Sequence, residues 1–416
     1  MEKNYEKAYA LTKKYGQEHL LSFYDELNDD VKAALLEQIL NIDFELSCEL
    51  YKNAGQASDI SEGGKVEPIG YKDKALLGED VLKVYAEKGN ALMSDGRFAA
   101  VTMAGGQGTR LGHNGPKGTY DIGLPSHESL FAIQCRRLKT QSEKCGKTIP
   151  WYIMTSREND AATKAFFEEH DYFGYDRDYI KFFVQSMLPM IDFDGKIVLE
   201  SKGKIKEGAD GHGGLFSAMI KNGIYDDMKA KGIKWIFVGG IDNVLLKLCD
   251  PAFLGFVDES GCGIGAKSLV KRDAREKVGV FCLMDGKPYV IEYTEVSDEM
   301  AEARDENGEF LYGDAHILCN MFNISAFEKM TGDFGGLPYH TAIKKTNFVN
   351  GDGEIVVPDK PNAYKFEAFI FDAFKYFDSM AILRVERSEE FAPVKNKDGE
   401  DSPATARELF MNAVDK

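Results

Sequence analysis

A short apolar segment that runs directly into a glycine-rich, basic loop is the feature that most constrains this chain. Five of the six residues from 98 to 103 are apolar, and a short apolar run of this kind is typical of a buried strand. The loop Ala104–Gly112 contains four glycines and Arg110, and Pro116 and Lys117 follow it closely. Glycine lets a backbone approach a ligand closely, and successive backbone N–H groups form an anion-binding concavity. We therefore predict a strand–loop unit that wraps a polyphosphate.

The spacing of the loop excludes two common phosphate-binding motifs. The dinucleotide motif is G-x-G-x-x-G/A, but after Gly106 and Gly108 the next small residue, Gly112, comes one position late. The P-loop ends in Gly-Lys followed by Ser or Thr, whereas Lys117 is preceded by proline and followed by Gly118. A nicotinamide-linked dehydrogenase, which a bare glycine loop would allow, is therefore disfavoured.

Composition restricts the class of protein further. The 416 residues suffice for two or three lobes. The formal charge of −17 disfavours nonspecific binding to nucleic acid or to an anionic membrane. The seven cysteines form no C-x-x-C pair, which disfavours a zinc site and a disulfide framework. No signal-peptide pattern and no long apolar run is present, so we expect a cytoplasmic protein without membrane or nucleic-acid partners.

Strands and helices alternate along the middle of the chain. Strands are predicted at 98–103, 151–154, 181–184 and 235–238, and helices near 128–143, opened by Ser126, and over 158–170 and 215–228. This alternation favours an α/β fold with a mostly parallel sheet covered on both faces. We expect three regions, namely a helical lobe over 1–92, a central domain over 93–330 and a mixed C-terminal part over 331–416.

Ligands of such sheets bind outside the carboxyl ends of the strands. Three loops meet this condition. They are the loop from Gly105 to Lys117, the segment 185–189 that begins with Gln185, and the segment 239–243 that contains Asp242. The polyphosphate site is therefore predicted at this edge of the sheet.

Several longer strings, added to the glycine loop, resemble one enzyme family. They are residues 116–126, 149–156, 193–197 and 358–362. They are similar to the eukaryotic-type UDP-N-acetylhexosamine pyrophosphorylases of the UDP-sugar pyrophosphorylase family, over about residues 20–410. The resemblance implies a Rossmann-like (GT-A-like) nucleotidyltransferase domain with a mostly parallel mixed sheet, an N-terminal helical lobe and a short C-terminal lobe that completes the active site. Because the chain ends about 20 residues after Lys395, we expect it to lack the additional C-terminal domain of eukaryotic relatives, and no oligomeric state is predicted.

The resemblance also implies a reaction. UTP and N-acetylglucosamine 1-phosphate would give UDP-N-acetylglucosamine and diphosphate, with Mg²⁺ as cofactor. Glucose 1-phosphate, or a broad range of sugar 1-phosphates, is the first alternative, and a catalytically silent UDP-sugar sensor is the second. The attacking phosphate is already ionised at neutral pH because its second pKa is about 6, so positioning and electrostatic stabilisation are the main requirements.

The resemblance assigns roles to individual residues. Arg110, Lys117, Lys365 and Lys395 are implied as catalytic cations. Asp242 is expected to bind Mg²⁺, although it could instead cap a helix over 244–248. The implied UTP-binding residues are Met103, Ala104, Gly105, Gly106, Lys117, Gln185, Gly211, Asp242 and Lys365.

The implied sugar pocket departs from the family pattern. The sugar-binding residues would be His212, Gly279, Glu292, Tyr293, His316, Phe369 and Phe371. His212 and His316 stand where N-acetylhexosamine enzymes carry asparagine, and a histidine at the first position is typical of UDP-glucose enzymes. His212 could be a spacer in a glycine turn, His316 a packed core histidine, and the two phenylalanines core residues.

Overall fold

The computed structural model describes residues 1–54, 64–325, 327 and 337–413, which form two compact units. The first unit contains residues 1–54, 186–214 and 337–369, and the second contains 64–185, 215–327 and 370–413 as far as they are described. No helix in these described ranges is long and apolar enough to cross a membrane.

The helices of the described chain are α1 (Glu2–Lys14), α2 (Asp29–Asn41), α3 (Phe44–Asn53), α4 (Glu79–Ser94), α5 (Leu130–Cys145), α6 (Asp160–Glu169), α7 (Leu215–Lys221), α8 (Ile224–Ala230), α9 (Pro251–Ser260), α10 (Asp298–Glu302), α11 (Arg387–Glu390) and α12 (Pro403–Asn412). The strands are β1 (Val66–Glu67), β2 (Lys72–Asp73), β3 (Phe98–Met103), β4 (Trp151–Thr155), β5 (Ile180–Val184), β6 (Met187–Pro189), β7 (Ile191–Asp192), β8 (Leu199–Ser201), β9 (Lys204–Ile205), β10 (Glu207–Ala209), β11 (Trp235–Gly240), β12 (Ile264–Val270), β13 (Val280–Met284), β14 (Lys287–Ile291), β15 (Asp314–Asn323), β16 (Tyr339–Lys344), β17 (Phe348–Val349), β18 (Ile355–Val356), β19 (Ala363–Ala368) and β20 (Ala381–Arg384).

The second unit is organised by one large mixed sheet. Its strand order is β2-β20-β12-β15-β11-β3-β4-β5, and β13 pairs with β1, β14 and β15. Strands β11, β3, β4 and β5 run parallel, whereas β15 is antiparallel to β11 and β12. Every residue of β3, β4 and β11 is buried, as expected for parallel strands with both faces covered. The predicted α/β class with a mostly parallel mixed sheet is confirmed.

The first unit combines the N-terminal helices with short sheets. A three-stranded sheet has the order β16-β19-β7, and β10-β6, β8-β9 and β17-β18 form separate pairs. Helices α1 and α2 bury residues such as Ala8 and Leu35 in a core that also takes Ile205 from β9 and Phe366 from β19. Burial of such apolar side chains holds these three separate stretches of chain together as one unit.

The two units differ from the three consecutive regions expected from the sequence. Residues 1–54 associate with two later stretches, and α4, which was expected in the helical lobe, belongs to the second unit. Helix α4 packs tightly on α9, since a Cβ added to Gly89 would lie only 1.9 Å from the carbonyl oxygen of Pro251. The region 1–92 also contains the strands β1 and β2.

Two helix predictions need local corrections. The residue that caps α5 is Ser129, whose hydroxyl accepts a hydrogen bond from the backbone N–H of Ala132, and not Ser126. The single helix predicted over 215–228 is two helices, α7 and α8, because Gly223 adopts a left-handed conformation with φ of 69°.

Candidate active site

The glycine-rich loop follows β3 in the second unit. The backbone N–H of Lys117 donates to the carbonyl of Gly106 at 3.0 Å, so the loop closes on itself. The backbone N–H groups of Gly105, Gly106 and Gln107 have no acceptor among the described residues. Three consecutive unpaired donors create local positive potential and suit an anionic ligand.

Arg110 lies in a short 3₁₀ turn of the same loop, Thr109–Leu111. Its side chain is exposed, and within the described ranges it has no hydrogen bond or ion pair. The alternative that it is an ordinary surface arginine paired with a carboxylate therefore has no support in this structure. Because its guanidinium has no counter-ion in the described ranges, Arg110 is available to bind phosphate oxygens.

Lys117 is tethered to a segment near the end of the chain. Its ammonium donates to the carbonyl oxygen of Val394 at 3.2 Å. The next residue, Lys395, has an ammonium only loosely paired with the carboxylate of Asp401, at 3.7 Å, and its side chain is 43% exposed. The structure thus brings two of the four implied catalytic cations to one short segment.

Asp242 lies beside that segment. It follows β11, and its backbone carbonyl accepts a hydrogen bond from the N–H of Val394 at 2.9 Å. The side-chain amide of Asn243 also binds this segment. It accepts a hydrogen bond from the N–H of Ala392 at 2.9 Å and donates one to the carbonyl of Glu390 at 2.7 Å. Lys117 and Asp242 are therefore both linked to Val394, the residue before Lys395, near the carboxyl end of β11.

The carboxylate of Asp242 fits the demands of a Mg²⁺ ligand. It is half-buried, and no donor or cation of the described chain pairs with it. Residues 244–248 form turns and no helix, so the helix-capping alternative has no support. The described residues contain no cluster of three or more potential metal ligands, but Mg²⁺ commonly binds through one or two carboxylates together with substrate phosphates and water.

Gln185 faces the glycine loop from the end of β5. Its backbone N–H donates to the carbonyl of Thr155 at 2.8 Å, and its side chain is 8% exposed. A Cβ added to Gly105 would lie 3.0 Å from its side-chain oxygen. A side chain at position 105 would therefore crowd this amide, which can both donate and accept hydrogen bonds.

Asn159 also contacts the loop, and sequence reasoning did not identify it. Its side-chain N–H₂ donates to the carbonyl oxygens of Ala104 at 2.9 Å and Gly106 at 3.3 Å, and the side chain is fully buried. Its side-chain oxygen accepts from the N–H of Ser156 at 2.8 Å. An asparagine just before a helix ordinarily indicates a cap, so the sequence contains no signal for this role.

Five of the implied sugar-binding residues, including Tyr293, belong to the second unit. His316 donates its backbone N–H to the carbonyl of Gly279 at 2.9 Å, and a Cβ on Gly279 would lie 3.2 Å from a carboxylate oxygen of Glu292. The His316 ring lies edge-on to Phe371, with the ring centroids 5.8 Å apart. Tyr293 is 46% exposed beside Glu292. Gly279, Glu292, His316 and Phe371 thus form one cluster, while His316 and Phe371 also pack as core aromatics.

The other implied sugar residues belong to the first unit. His212 lies in a tight turn in which Gly211 has φ of 84°, and a Cβ on Gly211 would lie 2.2 Å from the carbonyl oxygen of Ala368. The His212 ring faces Phe369 at 5.3 Å between centroids, and His340 faces the same phenylalanine at 4.7 Å. Burial, together with the nearby His340, lowers the pKa of His212 to about 4, so this histidine is neutral at physiological pH.

Lys365 lies on β19 of the first unit. Its ammonium is paired with the carboxylate of Glu367 at 2.7 Å, and both side chains are about three-quarters buried, at 24% and 27% exposure. Its aliphatic stem covers Gly208, where a Cβ would lie 2.7 Å from the lysine Cε. The implied phosphate contact of Lys365 would therefore replace an existing ion pair, which the sequence did not indicate.

Comparison with known proteins shows the family of this chain. The sequence pattern of the family described as UTP–glucose-1-phosphate uridylyltransferase matches residues 46–411. The human UDP-N-acetylhexosamine pyrophosphorylase-like protein 1 is 37% identical over 97% of this chain and 83% of its own length. The UDP-N-acetylglucosamine pyrophosphorylase of Saccharomyces cerevisiae is also 37% identical, over 95% of this chain and 84% of its own length.

A solved structure shows the same relationship. The crystal structure of the UDP-N-acetylglucosamine pyrophosphorylase from Trypanosoma brucei, in complex with inhibitor, matches 98% of this chain and 84% of that chain. The TM-score is 0.84 and the sequence identity is 30%. The glycine loop, the sheet that carries it and these similarities over nearly the whole length lead to one conclusion: the chain belongs to the UTP–glucose-1-phosphate uridylyltransferase family.

Proposed function

We propose that this protein is a uridylyltransferase that converts UTP and N-acetylglucosamine 1-phosphate into UDP-N-acetylglucosamine and diphosphate. The observation that carries the proposal is the glycine loop, in which three consecutive N–H groups without an acceptor in the described ranges lie close in sequence to the exposed Arg110. Relatives 37% identical to this chain are named UDP-N-acetylglucosamine pyrophosphorylases, which supports this choice of sugar. In a chain of charge −17, such a loop is a specific site for a polyanion.

The proposed chemistry is a displacement at the α-phosphorus of UTP. A phosphate oxygen of the sugar 1-phosphate forms a bond to this phosphorus, the bond to the β-phosphate oxygen breaks, and diphosphate leaves with the electron pair. The attacking oxygen is mostly ionised at neutral pH, so no residue has to remove a proton. The protein's task is to bring two polyanions together and to stabilise charge on the leaving group.

The residues of the second unit suit this task. We assign the loop N–H groups and Arg110 to the departing diphosphate, and Lys117 and Lys395 to the remaining phosphate oxygens. Asp242 would hold Mg²⁺, which supplies Lewis-acid stabilisation of phosphate charge when bound. Gln185 would pair with uracil, because an amide complements a carbonyl and an N–H of that base.

Residues of the first unit are assigned to the substrates in the same way. We propose that Lys365 exchanges Glu367 for a nucleotide phosphate and that His212 contacts the sugar. The cluster of His212, His340 and Phe369 favours a second candidate function. A bulky neutral ring at position 212 suits glucose 1-phosphate, which lacks the N-acetyl group.

One screen tests the proposal. Purified protein with UTP and Mg²⁺ is offered N-acetylglucosamine, N-acetylgalactosamine, glucose and galactose 1-phosphates, and released diphosphate is measured. We expect the fastest release with N-acetylglucosamine 1-phosphate, whereas glucose 1-phosphate as the best substrate would favour the second candidate. Binding of a UDP-sugar without diphosphate release from any substrate would identify a sensor. The cytoplasmic location expected from the sequence remains part of this proposal.

A further inference from the structure

We infer that Asn159 is a positioning residue that turns the peptide groups of the glycine loop so that their N–H groups face the nucleotide. This inference rests on the proposed function, since it concerns how that loop is prepared to bind UTP. Asn159 itself would touch no substrate. It acts through the backbone of Ala104, Gly105 and Gly106.

The side chain of Asn159 does not do what its position in the sequence suggests. It stands immediately before α6, where an asparagine usually accepts a hydrogen bond from the N–H of the second or third helical residue. No such capping bond is present. The amide oxygen instead accepts from Ser156, and the amide N–H₂ is directed to Ala104 and Gly106. The Asn159 side chain thus contacts the loop and the turn that begins at Ser156, and it makes no capping bond to α6.

The geometry of the peptide bond explains the effect. In a trans peptide the carbonyl and the N–H point in opposite directions. The carbonyl of Ala104 shares a peptide group with the N–H of Gly105, and that of Gly106 shares one with the N–H of Gln107. Because Asn159 binds both carbonyl oxygens, both N–H groups point away from it, and they are among the donors without an acceptor in the described chain.

The hydrogen bonds from Asn159 to Ala104 and Gly106 also determine how rigid the loop is. Two glycines in succession have large conformational freedom, and ordering them on binding would cost free energy. The carbonyl of Gly106 accepts a second hydrogen bond from the N–H of Lys117 at 3.0 Å. With Asn159 fully buried, the loop is already arranged before UTP arrives, which favours binding and correct placement of the phosphates.

Two substitutions and a matched control test this role. Asn159→Ala removes all three hydrogen bonds, whereas Asn159→Asp keeps an acceptor for Ser156 and loses both bonds donated to the loop. Asn28→Ala is the control, because Asn28 accepts from the N–H of Val31 at 3.0 Å and truly caps α2 in the first unit. A purely structural effect would lower the unfolding temperature in Asn159→Ala and Asn28→Ala and leave substrate binding unchanged.

The readouts are the Kd of UTP by titration calorimetry and the KM of each substrate. We expect both Asn159 variants to weaken UTP binding by about tenfold or more and to leave the KM of the sugar 1-phosphate nearly unchanged. The Asn28→Ala variant should have the wild-type Kd and KM values. UTP binding within about twofold of the wild type in both folded Asn159 variants would overturn the inference.

Amide hydrogen exchange separates this inference from the proposed function. In Asn159→Ala, but not in Asn28→Ala, the amide of Lys117 should exchange faster, since its acceptor at Gly106 is no longer fixed. If the wild-type protein binds no UTP, the proposed function fails, but the exchange rate still tests whether Asn159 fixes the peptide groups of the loop. Unchanged exchange at Lys117 in Asn159→Ala would then overturn the role of Asn159.

Discussion

The ammonium of Lys117 and the backbone carbonyl of Val394 are joined by a hydrogen bond of 3.2 Å. This bond connects the glycine-rich loop to the segment that carries Lys395 and is hydrogen-bonded to Asp242. An ammonium has three N–H donors, and the described residues engage only one of those of Lys117. The lysine is thus held in place while donors remain for an anion.

Arg110 should be essential for turnover and dispensable for folding. Because Arg110 is exposed and unpaired in the described chain, Arg110→Ala should leave the unfolding temperature unchanged. Loss of a cation that stabilises charge on transferred phosphate should lower kcat by about 10³-fold or more. Steady-state diphosphate release and thermal unfolding measure the two effects.

The control for this experiment is Arg177→Ala, at an exposed arginine outside the loop that lies over Tyr172. It should retain wild-type kcat. An Arg110→Ala variant with kcat close to that of the wild type would remove Arg110 from the proposed catalytic residues.

Gly106 should be required for nucleotide binding but not for folding. A Cβ at Gly106 would meet no atom within 4 Å, and the φ of this residue lies outside the left-handed region. Gly106→Ala should therefore fold with the wild-type unfolding temperature. If a phosphate approaches this backbone as closely as proposed, the added methyl group should raise the KM of UTP by about tenfold or more.

Gly70→Ala is the matched control, because Gly70 also has open space around it and an ordinary φ. It should change neither quantity. A Gly106→Ala variant with the wild-type KM for UTP would show that the loop does not enclose the phosphates.

His212 should influence the choice of sugar. His212→Asn restores the residue typical of N-acetylhexosamine enzymes, so we expect the ratio of kcat/KM values to shift by about tenfold toward N-acetylglucosamine 1-phosphate over glucose 1-phosphate. Since the pKa of His212 is lowered to about 4, its charge is constant at neutral pH, and the wild-type ratio should be the same at pH 6.5 and pH 8. An unchanged ratio in His212→Asn would contradict a role in specificity.

The lowered pKa of His212 also predicts how stability depends on pH. The unfolded chain protonates this histidine near its ordinary pKa of 6.5, whereas the folded protein resists protonation down to about 4. The unfolded state therefore binds more protons between these values, and the free energy of unfolding should fall as pH is lowered through this range. Denaturant unfolding at several pH values should show a smaller loss in His212→Asn. Equal losses in the two proteins would contradict the assignment.

Much of the fold follows from local patterns, and the exceptions have physical causes. Strand β3 was predicted with its observed bounds because a short apolar run that ends in a glycine loop is typical of a buried strand. The break between α7 and α8 at Gly223 was missed because glycine tolerates both helical and left-handed backbone. The composite first unit could not be foreseen, since its parts are distant in sequence and are joined by burial and by long-range hydrogen bonds such as that from the Gln17 amide to the carbonyl of Gly195.

In the candidate site, too, some residues could be proposed from the sequence and others could not. Residues that follow strands, such as Arg110, Lys117 and Asp242, could be proposed from the sequence because ligands bind at the carboxyl ends of parallel strands. Asn159 was missed because its sequence position is that of a helix cap, and only the direction of its amide reveals the contact to Gly106. The pairing of Lys365 with Glu367 was missed because it depends on side-chain geometry within β19.

The proposed reaction requires that the sugar phosphate attacks the α-phosphorus of UTP at this site. UTP labelled at the α-phosphorus, incubated with Mg²⁺ and N-acetylglucosamine 1-phosphate, measures this directly. We expect the label to appear in UDP-N-acetylglucosamine, with one unlabelled diphosphate released for each labelled product, and we expect Arg110→Ala to lower both together. Label that remains in UTP, while the protein still binds nucleotide, would contradict it.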